Sequence, residues 1–178
     1  MYDIDSINFY CLLINNLGLN FNIGVFNLLN ESKLIDREII LRDLKLTGEV
    51  IETRRSMVRW LALTLGIINP GESRLSSIYV FDAMLYFQFS KKINPTVLDI
   101  KNYIIRNWGE INEKTLRYHL LHLKNMNIID HSKGKYYILI PTDVEQYNES
   151  EWLNYYINSE IEPIKDKIVT VIGELKKR

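Results

Sequence analysis

The side chains best suited to chemistry lie in residues 112–141, which read NEKTLRYHLLHLKNMNIIDHSKGKYYILIP. Cationic and hydroxyl groups open this stretch, at Lys114, Thr115, Arg117 and Tyr118. Two further cations, Lys133 and Lys135, flank a glycine. Such cations neutralise phosphate, and arginine can also form paired hydrogen bonds with the edge of guanine. These residue types indicate contact with a nucleic acid, although an ordinary solvated helix face would look similar.

The elements that must position these groups can be predicted from periodicity. Leu116, Leu120 and Leu123 recur at helical spacing after Asn112, a good N-cap, and two short β-runs surround residues 132–135. The expected order is therefore a helix over 112–125 followed by a hairpin. Upstream, the pattern predicts one helix from Ser76 to about Lys91 and another that opens at Pro95.

This arrangement resembles the winged helix-turn-helix superfamily. There, the run Thr-Val-x-Arg-His-Leu-x-x-Leu-x-x-x-Gly-Leu-Ile marks the third helix and the first strand of the wing. The matching residues are Thr115-Leu116-Arg117-Tyr118-His119-Leu120, then Leu123, then Asn127-Ile128-Ile129. The resemblance covers about residues 74–141. It implies that helix 112–125 enters the major groove while the 132–135 wing contacts the DNA backbone. Asn127 replaces the usual glycine, which predicts a left-handed backbone conformation there.

A weaker, degenerate copy of the same unit is predicted in residues 1–70. Its expected helices are Asp36–Leu46 and about Val50–Leu65, separated by Thr47-Gly48. The second helix carries three arginines that suit phosphate or guanine contact: Arg54, Arg55 and Arg59. Pairing of these arginines with Glu49 and Glu52 is an equally good interpretation.

The remaining segment, residues 142–178, is predicted to be an acidic connector followed by an amphipathic helix opened by Pro163. Between residues 143 and 162 there are acidic side chains but neither lysine nor arginine. The following helix has apolar residues at alternating spacings of three and four, the pattern of a dimerisation seam. These are Ile161, Ile164, Ile168, Val171 and Leu175. The seam would pack on a second copy or on the chain's own first helix.

Net charge and local charge favour different functional hypotheses. The chain carries 22 basic and 22 acidic residues, so its net charge is zero. Residues 101–140, however, hold seven basic and three acidic side chains, a local excess of four positive charges. A DNA-binding, dimeric transcriptional regulator is the first hypothesis. The second is a tandem winged-helix scaffold that binds proteins and not DNA, favoured by overall neutrality and by Leu121, where the family has a polar residue.

The sequence offers little support for other classes of function. Cys11 is the only cysteine, which excludes an internal disulfide and fits a reducing compartment. His119 and His122 have the spacing of a metal pair but no further ligands nearby. We expect no metal, no cofactor and no enzymatic activity. The longest apolar run is too short to span a bilayer, so a cytoplasmic protein with no membrane contact is expected. Abundant Ile, Asn, Lys and Tyr suggest an archaeal or viral source.

Overall fold

The structure is a computed structural model, and it describes residues 31–73, 75–140 and 148–177. These residues are mainly helical with one two-stranded antiparallel sheet, which confirms the predicted fold class. The chain divides into two compact units, Met1–Glu38 and Ile39–Arg178. In the described part of the first unit, Glu31–Lys33 form a 3-10 helix. The sequence also predicts helices at about residues 7–17 and 21–29, and these lie outside the described residues.

In the second unit, six α-helices and one hairpin follow one another along the described residues. They are α1 (Gly48–Glu52), α2 (Arg54–Thr64), α3 (Ser76–Leu85) with a π-helical continuation (Tyr86–Ser90), α4 (Val97–Asn107), α5 (Glu113–Asn125), β1 (Ile129–Ser132), β2 (Lys135–Ile138) and α6 (Glu149–Leu175). None of them is both long and apolar enough to cross a membrane.

Helix α3 forms the centre of the core. Eight of its ten residues are buried, and Phe81 and Met84 are fully inaccessible. A helix that is apolar on all sides must be covered on all sides. The covering side chains come from α2, α4, α5 and the hairpin: Val58, Ala62, Ile100, Ile104, Leu116, Leu120, Leu123, Ile129 and Ile138.

The helix predicted at Asp36–Leu46 is wrong, because no helix or strand forms between residues 35 and 47. This segment bonds instead to the end of α2. The Arg42 amide donates to the Thr64 carbonyl at 2.9 Å, and its guanidinium donates to the carbonyls of Leu63 and Ile68 at 2.6 and 3.1 Å. The Thr64 carbonyl lies in the last turn of α2, where no further helical turn supplies a donor, so the Arg42 amide stabilises it. Tertiary contact has overridden the local periodicity.

Two other helix boundaries differ from the sequence prediction. The helix predicted over residues 50–65 is divided by Thr53, whose backbone is extended and whose side chain caps α2 by accepting from the Ser56 amide. The last helix begins at Glu149 and runs through Pro163, which was predicted to open it. Its true N-cap is Asn148, whose side chain accepts from two backbone amides of the first turn.

The predicted domain division into residues 1–70, 74–141 and 142–178 stays a prediction. In the described residues, α2 and α3 lie on either side of the predicted boundary at residues 70–74 but contribute to the same hydrophobic core. The first half of α6 joins that core as well, through Trp152 and Tyr156.

Candidate nucleic-acid interface

Helix α5 presents one apolar face and one solvent-exposed face, as its sequence predicts. The side chain of Asn112 caps it by accepting from the Lys114 amide at 2.7 Å. Leucine side chains at positions 116, 120 and 123 are buried against the core. The exposed face carries Lys114, Arg117, Tyr118 and Leu121, and Thr115 is half-buried beside it. Tyr118 and Leu121 are 65% and 57% exposed.

The hairpin ends in a tight two-residue turn. Its register pairs Ile129 with Ile138 and Ser132 with Lys135. The two residues of the turn, Lys133 and Gly134, have positive φ angles of 50° and 76°, the pattern of the type I′ turn that suits right-twisted strands. Lys133 and Lys135 are both exposed at this tip.

Two contacts hold the hairpin against the helices. Thr96, at the start of α4, forms an isolated antiparallel bridge with Lys135, and the Tyr136 amide donates to the Pro95 carbonyl at 2.9 Å. The second contact is Gln88, which is buried and fully hydrogen-bonded. Its side-chain oxygen accepts from the Ile138 amide at 2.9 Å, while its nitrogen donates to the Ile93 carbonyl at 2.8 Å. A tip anchored in this way keeps a defined position beside α5.

Gln88 was not identified from the sequence. A glutamine beside Phe87 and Phe89 on a strongly apolar helix was the available signal, because a buried amide requires partners.

The connection between α5 and β1 also reaches α6. Asn127 has a φ of 55°, which confirms the predicted left-handed conformation. Its side-chain nitrogen donates to Oε1 of Glu160 at 2.9 Å, and Glu160 is buried on the inner side of α6. Asparagine therefore supplies a hydrogen bond that a glycine at this position would lack.

Two acidic side chains near the exposed face, Glu113 and Asp130, are already paired. Arg117 bonds to Glu113 one turn earlier at 2.8 Å, which lowers the pKa of the Glu113 carboxyl. Lys124 bonds to Asp130 at 2.6 Å and lowers the pKa of that carboxyl. Exposed pairs of this kind exchange readily for other partners. Three lysines of the same region, Lys114, Lys133 and Lys135, form no ion pair with any described residue.

The arginines of α2 lie in a different environment. Arg54 bonds through Nε to Asp82 of α3 at 2.7 Å, and not to Glu49 or Glu52. Arg55 donates to the Asn107 carbonyl at 2.7 Å and stacks over the Trp108 ring at 4.7 Å from its centre. Arg59 is half-buried on the same helix.

Asp82 is the centre of a buried polar cluster. Its carboxylate is 2% exposed and accepts from Arg54, from the Tyr103 hydroxyl at 2.9 Å and from the Trp108 indole at 2.8 Å. Burial, together with the Asp82 carboxylate, raises the pKa of Tyr103 to about 12. The tyrosine therefore stays a donor at any physiological pH. This cluster joins α2, α3 and α4, and sequence spacing gave no sign of it.

A polar cleft adjoins the first turns of α5. His119 Nε2 lies 2.8 Å from Ser76 Oγ, and the cleft is also lined by Lys114, Thr115 and Tyr118. Burial lowers the pKa of His119, and the nearby His122 lowers it further. Among the described residues, no three His, Cys, Asp or Glu side chains are placed to hold a metal ion.

The structure thus gathers the predicted residues of α5 on or beside one exposed face, those of the wing at the hairpin tip, and Arg54 and Arg55 against α3 and α4. The chain matches no protein-family model, no curated protein and no solved structure. Its function must therefore be argued from this geometry.

Proposed function

We propose that this chain is a double-stranded DNA-binding regulator in which α5 enters the major groove and the 132–135 wing contacts the backbone. The observation that carries the proposal is a set of three lysines, on an exposed helix and an anchored hairpin tip, that form no ion pair within the described part of the chain. Phosphate neutralisation drives such binding, and it requires cations that are not already neutralised within the protein.

Each side chain has a role suited to its placement. Arg117 reads a guanine edge after exchanging its exposed partner, Glu113. Lys114 and the hydroxyls of Thr115 and Tyr118 bind phosphates at the start of the helix, which is the part of a recognition helix that approaches the bases. Lys133 and Lys135 bind backbone phosphates beside the neighbouring groove.

The arginines of α2 contribute less. Arg54 and Arg55 could bind DNA only by giving up Asp82 and Trp108, and the first of these partners is buried. Arg59 stays a predicted contact.

Dimerisation through α6 completes the proposal. After Glu160, every seam residue is exposed, from 37% at Ile161 to 65% at Leu175. Five apolar side chains along one helix are stabilised when a second copy covers them. A symmetric dimer presents two recognition helices to paired half-sites. The lone cysteine fits a cytoplasmic location for such a regulator.

Salt-dependent binding tests the DNA-binding proposal. We would measure fluorescence anisotropy with a labelled 30-base-pair random duplex at 50 and 200 mM salt. The K133N/K135A variant removes two phosphate contacts, while asparagine at 133 still suits the left-handed turn. Each contact contributes about 0.9 to the salt slope, so we expect the variant's loss of affinity between the two salts to be roughly tenfold smaller.

The matched control is K45A, an exposed lysine outside α5 and the wing, which should leave both affinity and slope unchanged. The proposal would be wrong if the unaltered protein showed no detectable binding at 50 mM salt. It would also be wrong if the affinity of K133N/K135A depended on salt as steeply as that of the unaltered protein.

A protein-binding scaffold is the second candidate, and the exposure of Leu121 favours it. An apolar side chain that is 57% exposed at the middle of a recognition face is better suited to a protein surface than to a DNA groove. Under this alternative, L121S would abolish capture of the partner, and the duplex assay would show no binding.

A further inference from the structure

A cleft of about 660 Å³, here called the basic cleft, lies between the start of α2, the π-helical continuation of α3 and one side of α4. Small-molecule sites commonly enclose about 300–1,000 Å³. The π-helical segment buries Gln88 and leaves Tyr86, Phe87 and Ser90 to line the cleft. Segments of this kind are frequent at functional sites. Among the described residues, none from α5 or the wing lines the basic cleft, so it is separate from the proposed DNA interface.

Three cationic side chains line the basic cleft, and all three residues are exposed to solvent: Arg54, Lys91 and Arg106. Arg54 Cζ lies 5.9 Å and Lys91 Nζ lies 5.6 Å from the centre of the Tyr86 ring. Arg106 follows Tyr103 by one helical turn, and the Tyr103 ring stacks on that of Tyr86 with 4.6 Å between centres. The three cations are therefore grouped around one pair of stacked rings.

Two of these cations have no carboxylate partner. Lys91 and Arg106 form no ion pair within the described part of the chain. Asp99 also lines the cleft, but its Oδ2 atom accepts from the backbone amide of Thr96 at 2.8 Å and from the Thr96 hydroxyl at 2.7 Å. An anionic ligand would supply the counter-charge that these two cations lack.

The third cation, Arg54, is held in place but keeps donors available. Its Nε atom is bonded to Asp82, while its Nη1 atom forms no hydrogen bond with a described residue, and its side chain is 45% exposed. A guanidinium fixed in this way can present its remaining N–H groups to a phosphate oxygen. Even when Asp82 and Asp99 are both counted, the three cations leave an excess of positive charge.

The rest of the basic cleft suits a flat ring with polar edges. Phe87 and Ile93 supply apolar surface, and Ile93 is 49% exposed. The Asn102 side chain is also exposed and forms no hydrogen bond with a described residue. A free carboxamide offers a donor and an acceptor side by side, which is the pattern that pairs with the edge of a nucleobase.

We propose that the basic cleft binds a nucleoside monophosphate. A phosphate monoester carries a charge of about −1.5 to −2 at neutral pH and has three strong acceptor oxygens, which suits a group of cations with free donors. The phosphate binds to Arg54, Lys91 and Arg106, and the base lies against Phe87 with its edge towards Asn102. This site does not depend on the proposed DNA binding.

Isothermal titration calorimetry of the full chain at low salt tests the proposal. We would titrate with the four ribonucleoside monophosphates and, as matched controls, with the four nucleosides, which lack only the phosphate. At least one nucleotide should bind, and its nucleoside should bind at least about tenfold more weakly, because the charged hydrogen bonds are missing.

Variants locate the binding site. K91Q/R106Q keeps two long polar side chains but removes both unpaired charges, so it should weaken nucleotide binding at least about tenfold. K133N/K135A also removes two exposed cations, but at the hairpin tip, and should bind the nucleotide normally. Circular dichroism checks that each variant keeps its helical content. R106Q alone replaces the double variant should that not fold, and it should also weaken binding.

The proposal would be overturned if none of the four nucleotides bound with a Kd below about 1 mM. It would also be overturned if the nucleoside bound as tightly as its nucleotide, if K91Q/R106Q bound the nucleotide as tightly as the unaltered protein, or if K133N/K135A lost nucleotide binding. In the duplex assay, K91Q/R106Q should keep the salt slope of the unaltered protein, so a failure of either proposal can be recognised separately.

Discussion

At the scale of single residues, Asp82 shows how a buried charge can organise three helices. A carboxylate removed from water is tolerated only when charged or polar donors surround it. Arg54, Tyr103 and Trp108 supply those donors from α2 and α4. An arginine that resembles a DNA contact in the sequence is therefore a structural partner in the fold.

Removing this carboxylate should destabilise the protein strongly. In D82A the Tyr103 hydroxyl and the Trp108 indole lose their acceptor while they remain in the interior. We expect the free energy of unfolding to fall by about 3 kcal/mol, measured by urea denaturation followed by circular dichroism. D130A, which breaks a solvent-exposed pair with Lys124, is the matched control and should have a much smaller effect. Equal losses in both variants would contradict the role given to Asp82.

His119 should make stability depend on pH. Burial holds its pKa below the ordinary 6.5, so the unfolded chain takes up a proton in a range where the folded chain resists it. The stability contributed by this group is present above pH 6.5 and is lost as the pH falls towards the folded-state pKa.

H119Q should therefore lose less stability than the unaltered protein between pH 7.5 and pH 5.5, as measured from urea midpoints. H131Q, at an exposed position on β1, should retain the full dependence. If H119Q loses as much stability on acidification as the unaltered protein does, the assignment to His119 is wrong.

At the scale of elements, a substitution in the wing can weaken DNA binding without lowering the stability of the protein. Lys133 occupies a left-handed position in a two-residue turn, where asparagine is favoured before glycine. K133N should leave the melting temperature unchanged or slightly higher. The same change removes one phosphate contact, which should weaken duplex binding roughly fivefold at 150 mM salt.

K133A provides the contrast, since alanine carries the same Cβ strain at a φ of 50° as lysine does; it should leave the melting temperature unchanged while it weakens duplex binding as much as K133N. A K133N variant that melts higher but binds duplex DNA as well as the unaltered protein would remove the wing from the interface.

Helix α6 changes character along its length. Trp152, Tyr156 and Glu160 are buried at successive intervals of four residues, whereas the apolar residues from Ile161 onwards are largely exposed. Pro163 lies at this transition, and without an amide hydrogen it cannot bond to the preceding turn. The half of α6 before Pro163 therefore packs on the core, whereas the half after it leaves its apolar side chains exposed.

The exposed apolar residues of the seam on α6 predict that the protein is a dimer. Sedimentation of the unaltered protein at tens of micromolar should give a dimer, and I164Q/I168Q should give a monomer with the same helical content. L98Q, which alters a leucine on α4 that is more exposed than Ile164 or Ile168, should remain dimeric. An unaltered protein that sediments as a monomer would exclude the seam as a dimer interface at that concentration.

At the scale of the whole molecule, positive and negative charges are equal in number but unevenly distributed along the chain. Residues 101–140 have an excess of four positive charges although the chain is neutral. Electrostatic attraction within about 10 Å depends on this local excess, because salt screens more distant charges. Overall neutrality is therefore compatible with the proposed binding to DNA through one face, for which a strong salt dependence is expected.

The sequence by itself determined the elements whose signals are local. The apolar spacing and the Asn112 cap of α5, the left-handed Asn127, the Gly-containing hairpin turn and the mainly α fold class all follow from neighbouring residues. The pairing of side chains that are distant in the sequence was determined only by the tertiary structure. It replaced the helix expected at residues 36–46 with Arg42 bonded to the end of α2, buried Trp152 and Tyr156 of α6 in the core, and paired Arg54 with Asp82. Helix caps and turns depend on contacts a few residues apart, whereas burial and charge pairing depend on residues that only folding brings together.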